Sequence, residues 1–275
     1  MKKIIAAAVQ MTSSSNREAN LKKAEEFLSR GVDEGASLLS LPENFSFMGE
    51  GEKDKLEVAE MPEGGPVTDF LKGFARLNKV WIVGGSVPVQ AGEGKVFNRS
   101  LLIDDRGEVA ASYDKIHLFD VDIAGGESHK ESRTVCPGDK LVTHKTPSGV
   151  VGLSICYDLR FPELYRELAL KGATMIFVPA AFTSQTGEAH WEVLLRARAI
   201  ENQLYIIAPA QVGVHNKKRS TFGNSMIIDP WGRIIARAQG EETVISAEID
   251  LDYLDSVRQG IPCLSHRRLK SLGES

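Results

Sequence analysis

Apolar and polar residues alternate along the chain in two rhythms, and the switches between them mark out its elements. "KIIAAAVQM" is a continuous run of strand type, whereas "NREANLKKAEEFLSRGVDEG" spaces its apolar residues as an amphipathic helix does and stops at glycine. "ASLLSLPENF" predicts a second strand, "PVTDFLKGFARLNK" a second helix and "VWIVGGSVPV" a third strand. Further on, "VVGLSICYDLRFPELYREL" begins as a buried strand over Val150–Ile155, breaks at Tyr157 and Asp158, and restarts as a helix at Phe161-Pro162-Glu163. Strands and helices taken in turn predict α/β layering.

The second half repeats the first. "GASLLSLPENF" from Gly35 matches "GATMIFVPAAF" from Gly172 in Gly-Ala, an apolar run, Pro and Phe. "FNRSLLIDDRGEVAA" from Phe97 matches "FGNSMIIDPWGRIIA" from Phe222, and "ARLNKVWIVGGS" and "AIENQLYIIAPA" fall between these blocks in the same order. Two copies are too few for a solenoid. Two sheets, each covered by helices on one face, bury their bare faces against each other. The predicted fold is therefore α/β, a four-layer α-β-β-α sandwich of two pseudo-repeated halves. One unit spans 1–275, with halves at about 3–115 and 150–250 and a C-terminal tail from about 251.

Composition narrows the function classes. The chain has 275 residues, 42% hydrophobic and 25% charged, with a formal net charge of −4, which favours neither nucleic acid nor an anionic membrane as partner. The short basic runs Lys217-Lys218-Arg219 and Arg267-Arg268 are most simply solvated loops. The apolar N-terminal stretch reads as the first strand rather than a signal peptide, and no run is long enough to span a bilayer. Cysteines at 136, 156 and 263 are odd in number with no CxxC pair, so a reducing cytoplasm is expected. The six histidines lack HxH or HExxH spacing, and Gly84-Gly85 lacks a dinucleotide-binding setting.

Three residues stand at predicted strand ends, where open α/β sheets bind ligands: Glu43, Lys115 and Cys156. A cysteine at a helix N-terminus and beside a cation has a lowered pKa, so the sequence predicts a reactive thiolate at 156. Glu43 is suited to take its proton and later to activate water. Lys115 and the backbone N–H of Tyr157 are suited to hold an oxyanion. That set performs acyl transfer through a thioester. Taken alone, a buried cysteine is as readily inert core and a lone Lys or Glu a solvated charge.

"LPENF" at 41–45, "YDKIHLFD" at 113–120 and "GLSICYDLRFPELYRELALKGA" at 152–173 resemble the three signature blocks of the nitrilase, or carbon–nitrogen hydrolase, superfamily, in its order. The resemblance implies the same sandwich, no metal or organic cofactor, and homodimeric or higher assembly. It makes Cys156 the nucleophile, Glu43 the general base and Lys115 the cation at the tetrahedral intermediate. It also implies a second glutamate before the nucleophile strand, for which Glu131 fits better than Glu127. The stretch "AAFTSQTGEAHWEVLLRARAIENQLYIIAPAQVG" and the following "KKRSTFGNSMIIDPWG" resemble the small-amidase branch that contains ω-amidase and deaminated-glutathione amidase. Its substrates are small amides bearing a carboxylate and releasing ammonia or an amine. A nitrilase turning nitrile into acid is the alternative, and a non-catalytic scaffold a third reading. Arg160 is placed to bind the carboxylate, with a salt bridge to Asp158 or Glu163 as its other reading. Phe182 and Thr186 are expected to wall the substrate, although Phe182 could equally be core.

Overall fold

In the computed structural model, residues 3–122, 128–217 and 219–269 are described. The first half runs β1 (Lys3–Gln10), α1 (Arg17–Asp33), β2 (Leu38–Ser40), the one-turn α2 (Asp54–Glu57), α3 (Pro66–Asn78), β3 (Trp81–Val83), β4 (Val87–Gly92), β5 (Lys95–Ile103) and β6 (Val109–Asp114). A small antiparallel pair, β7 (Asp120–Asp122) and β8 (Ser128–Lys130), leads to the second half. That half runs β9 (Thr143–Thr146), β10 (Gly149–Leu153), α4 (Pro162–Leu170), β11 (Met175–Phe177), α5 (Ser184–Asn202), β12 (Tyr205–Ala208), the paired β13 (Val212–Asn216) and β14 (Arg219–Phe222), then β15 (Met226–Ile228) and β16 (Ile234–Arg237). β17 (Thr243–Asp250) and α6 (Leu251–Gly260) follow.

The helix boundaries follow local chemistry. Asn16 caps α1 by accepting the Ala19 N–H at 3.0 Å, and α4 carries Pro162 in its first turn, where a missing N–H costs nothing. In the first sheet β1, β2 and β3 are parallel, and β5 and β6 continue antiparallel. In the second, β10, β11 and β12 are parallel, and β15 and β16 continue antiparallel. The repeated sequence blocks thus build one repeated topology. β17 returns from the far end of the chain to pair with β1 over eight residues, which ties the second half back to the first sheet.

Alternation along β1 separates the layers. Ala6 and Ala8 join a core that also holds Val151, Met175, Phe177 and Ile206 from the second sheet, so the two sheets pack face to face. Ala7 and Val9 point the other way, into a core with Leu28 of α1 and Leu71 and Phe74 of α3. Helix, sheet, sheet and helix follow in that order, the expected four-layer sandwich.

"VWIVGGSVPV" departs from expectation: it forms two strands, β3 and β4, broken at Gly84-Gly85-Ser86. Gly85 has φ +55, and a Cβ there would stand 2.2 Å from the Pro42 carbonyl oxygen. The break lets this backbone close against the loop after β2, and the Ser86 hydroxyl accepts the Asn44 N–H at 3.0 Å. It thereby braces the segment that carries Glu43.

Candidate active site

Glu43, Asn98, Lys115, Glu131 and Cys156 come together where strand ends of both sheets meet. Glu43 follows β2, Asn98 lies on β5, Lys115 follows β6, and Glu131 opens a short 3₁₀ turn after β8. Lys115 Nζ donates to Glu43 Oε1 and to Glu131 Oε2, each at 2.9 Å. Asn98 Nδ2 donates to Glu43 Oε1 at 2.9 Å and to Glu131 Oε1 at 3.3 Å. The Ala181 N–H reaches across from the second half to Glu43 Oε2 at 3.1 Å, and the Phe119 N–H donates to Glu131 Oε2 at 2.7 Å. Glu43 and Lys115 are buried, Glu131 is largely so, and each charge is multiply bonded. Glu127, the other sequence candidate, lies outside the described residues.

Burial and paired charge oppose each other here. Burial works to lower the pKa of Lys115, but the Glu131 and Glu43 carboxylates outweigh it and hold the ammonium well above its usual value. Burial works to raise Glu131, yet Lys115, then Lys55, hold it well below the usual carboxylate range. The cluster is therefore one cation between two carboxylates.

Cys156 sits on a sharp elbow. β10 ends at Leu153, and Cys156–Arg160 form a 3₁₀ turn that leads into α4. Cys156 has φ +47, in the left-handed region that a β-carbon disfavours. Asp158, fully buried, holds the elbow: its carboxylate accepts the Tyr113 hydroxyl at 2.7 Å and the N–H groups of Ile155 at 2.9 Å and His117 at 3.0 Å. The His117 ring nitrogen lies 2.7 Å from the same carboxylate, and its ring stacks on Phe161. The Cys156 N–H donates to the Pro179 carbonyl at 2.9 Å.

The expected lowering of the thiol pKa is reversed. Burial, then the Glu43 carboxylate, pushes the Cys156 thiol well above its ordinary value; Lys115 and the Ala181 N–H only partly oppose them. Glu43 lies within hydrogen-bonding reach of the thiol.

A cleft of about 590 Å³ opens above these groups, lined by Cys156, Tyr157, Arg160, Phe182 and Thr186 among others. Arg160 makes no salt bridge to Asp158 or Glu163. Its guanidinium lies over the Phe182 ring at 5.2 Å and the Tyr157 ring at 5.8 Å, with His190 Nδ1 at 3.3 Å. Phe182 serves both expected roles, since it packs on the buried Trp191 at 4.9 Å and also faces the cleft. The Thr186 hydroxyl bonds that of Thr183 at 2.9 Å. Two basic residues from unassigned segments, Lys55 of α2 and Arg219 of β14, also line the cleft. Arg219 is therefore not a plain solvated loop charge.

Comparison with known proteins identifies the family. Over 271 residues the chain is 50% identical to the deaminated glutathione amidase of Synechocystis sp. (strain PCC 6803 / GT-S), covering 97% of this chain and 99% of that one. The solved structure of the C. elegans NitFhit protein superposes with a TM-score of 0.91 at 38% identity, covering 98% of this chain and 66% of that one. Saccharomyces cerevisiae Nit3, a member of branch 10 of the nitrilase superfamily, superposes with a TM-score of 0.88 at 33% identity, covering 98% and 97%. Residues 5–259 match the carbon-nitrogen hydrolase family, and the chain belongs to it.

Proposed function

We propose that this enzyme hydrolyses a small carboxylate-bearing amide through a thioester on Cys156, with deaminated glutathione as the favoured substrate and 2-oxoglutaramate as the near neighbour. The observation that carries the reading is the Glu43 carboxylate, in reach of the thiol and locked by Lys115, Asn98 and the Ala181 N–H. The 50% identity to a deaminated glutathione amidase supports the substrate.

Glu43 takes the Cys156 proton as Sγ attacks the amide carbon. Lys115 Nζ and the Tyr157 N–H, in the first turn of the elbow where backbone donors lack partners within the turn, hold the oxyanion. The protonated Glu43 gives its proton to the departing nitrogen, the C–N bond breaks and the acyl group stays on sulfur. Water then attacks the thioester, its proton passing to Glu43 and on to the released thiolate, and the acid leaves. Glu131 acts through Lys115, fixing its position. Arg160, free of any carboxylate among the described residues, binds the keto-acid end, and Phe182 and Thr186 line its path.

The test is release of ammonia or amine from deaminated glutathione, 2-oxoglutaramate, glutamine and a simple nitrile, with Cys156→Ala as control. Turnover of either keto-amide, lost in the variant, is the expected result. Release from the nitrile alone would make the enzyme a nitrilase, and no release from any of them would favour a scaffold.

We further infer a homodimer in a reducing compartment such as the cytoplasm. Val193 and Ile200 of α5, seven residues apart and so on one helix face, are exposed, as is Trp231 next to Gly232, against which Ile200 packs. All three cysteines are free, and no helix among the described residues is long and apolar enough to cross a membrane. Light scattering of Ile200→Glu should show a monomer where the unmodified chain shows a dimer.

A further inference from the structure

The catalytic cleft does not end at the groups that act on the amide. It continues outward into a second, wider cleft of about 1150 Å³ formed by the loop after β2, α2 and the β13–β14 pair. Lys55 and Arg219 line both clefts, whereas Cys156 and Arg160 line only the inner one. The two cations therefore stand at the junction, further out than the residue assigned to the keto-acid end.

Their surroundings are unusual for basic side chains. Both are half-buried, and neither has a carboxylate within ion-pair distance among the described residues. Burial lowers the pKa of Lys55, the Glu131 carboxylate partly compensates, and Arg219 stands close enough to disfavour the ammonium further. The one carboxylate lining both clefts beside them is Glu52, which accepts the Lys130 N–H at 3.0 Å. Two cations lining one junction, neither ion-paired, favour an anion from outside. A carboxylate is the anion that this reaction class brings, and an arginine fork beside a lysine matches it.

We propose that Lys55 and Arg219 form a second carboxylate subsite that anchors the leaving amine, so that the enzyme selects amides whose departing half is itself an acid, such as a short peptide with a free C-terminus. This rests on the amidase reading above and deepens it. Arg160 takes the carboxylate of the acyl half; Lys55 and Arg219 take that of the half released first. The site thereby distinguishes an extended substrate from one that releases only ammonia.

The experiment measures kcat/KM for deaminated glutathione and for its C-terminal amide, which lacks only the distal negative charge. A charge-assisted contact of this kind predicts a preference for the free acid of about 10- to 100-fold in the unmodified enzyme. In Lys55→Met/Arg219→Gln that preference should fall to about twofold or less, while Lys55→Arg should keep most of it. A preference that survives the double substitution, or is absent from the unmodified enzyme, overturns the subsite but leaves the amidase reading intact. An equal loss on both substrates also overturns it, since Lys55 would then act only through its field on Glu131. Failure of the unmodified enzyme on either substrate and on 2-oxoglutaramate would overturn the substrate reading and the subsite with it.

Discussion

The two halves share a strand plan yet carry opposite chemistry at equivalent positions. Glu43 and Asn98 of the first half correspond to Ala180 and Gly223 of the second by the alignment of the repeated blocks, and carrying the offset of the second block on past Ala111 sets Lys115 against Gly240. Conversely, the register of β1 on β2 and of β10 on β11 places Met11, a fully buried apolar residue, where the second half has Cys156. One half supplies the charges and the other the cysteine proposed as nucleophile. Buried charge explains the asymmetry. The cluster of one cation and two carboxylates is tolerable because each member is bonded several times, and a second copy a few ångströms away would double the desolvation without new partners. Small residues in the second half instead let backbone approach, as the Ala181 N–H does at Glu43.

The largest break of this division comes from removing the proposed nucleophile. Cys156→Ala should reduce turnover by about 10⁴-fold or more with little change in thermal stability, and Met11→Cys added to it should restore nothing. Recovery of turnover in that double variant would show that strand position alone makes a nucleophile.

Glu43→Gln sharpens the comparison because two readouts should move in opposite directions. Turnover should fall by about 10²- to 10⁴-fold, as for loss of a general base. The thiol, no longer held up by the carboxylate, should react faster with a small neutral alkylating reagent at fixed pH. In the unmodified protein the labelling of Cys156 should lag that of the exposed Cys263 at pH 7 and keep rising through pH 9. A rate that is already level at neutral pH would mean a preformed thiolate.

Lys115→Met leaves Glu43 and Glu131 buried without their cation and should destabilise the protein by about 3–5 kcal/mol, read by urea unfolding at pH 7. The signs of the two pKa shifts define the window in which the cluster is intact. Glu131, lowered from 4.5 to about 2, contributes stability that is complete above pH 4.5 and is lost as pH falls through its folded value. Lys115, raised above 10.5, contributes stability that is complete below that pH and is lost as pH rises through its folded value. A loss under about 1 kcal/mol at pH 7 would show that the two carboxylates do not depend on the lysine.

How much of this could be read in the sequence follows the same division. The fold was legible because duplication repeats Gly, Pro, Phe and Asp in one order, and Glu43, Lys115 and Cys156 were legible because each falls in a long motif at a strand end. Asn98 left a signal that went unread: it is an amide where the repeat has glycine, as Glu43 is an acid where the repeat has alanine. The direction of the thiol pKa was not legible. It depends first on the burial of the thiol and then on the Glu43 carboxylate beside it, and the order of residues along the chain shows neither. Lys55 and Arg219 were hidden for a related reason, since a basic residue outside any motif reads as solvated until the fold shows what it faces.

The smallest effect tests whether the small residues of the second half are required or merely permitted. Gly223 has φ +69, and a Cβ there would lie 2.5 Å from Val212 Cγ2 and 3.2 Å from Gln10 Oε1. The Gln10 side chain is itself committed, accepting the Ser225 N–H at 2.8 Å and donating to the Glu241 carbonyl at 2.7 Å, so it has little freedom to move aside. Gly223→Ala should therefore destabilise by about 1–3 kcal/mol through crowding and backbone strain together. At Gly240 nothing among the described residues beyond its chain neighbours lies within 4 Å of the added carbon, and alanine there should change stability by less than about 0.5 kcal/mol. Equal effects at the two sites would mean that packing does not hold the second half to small residues. A large difference would mean that at Gly223 the absence of a first-half side chain is a steric requirement, while at Gly240 it reflects only that one lysine suffices.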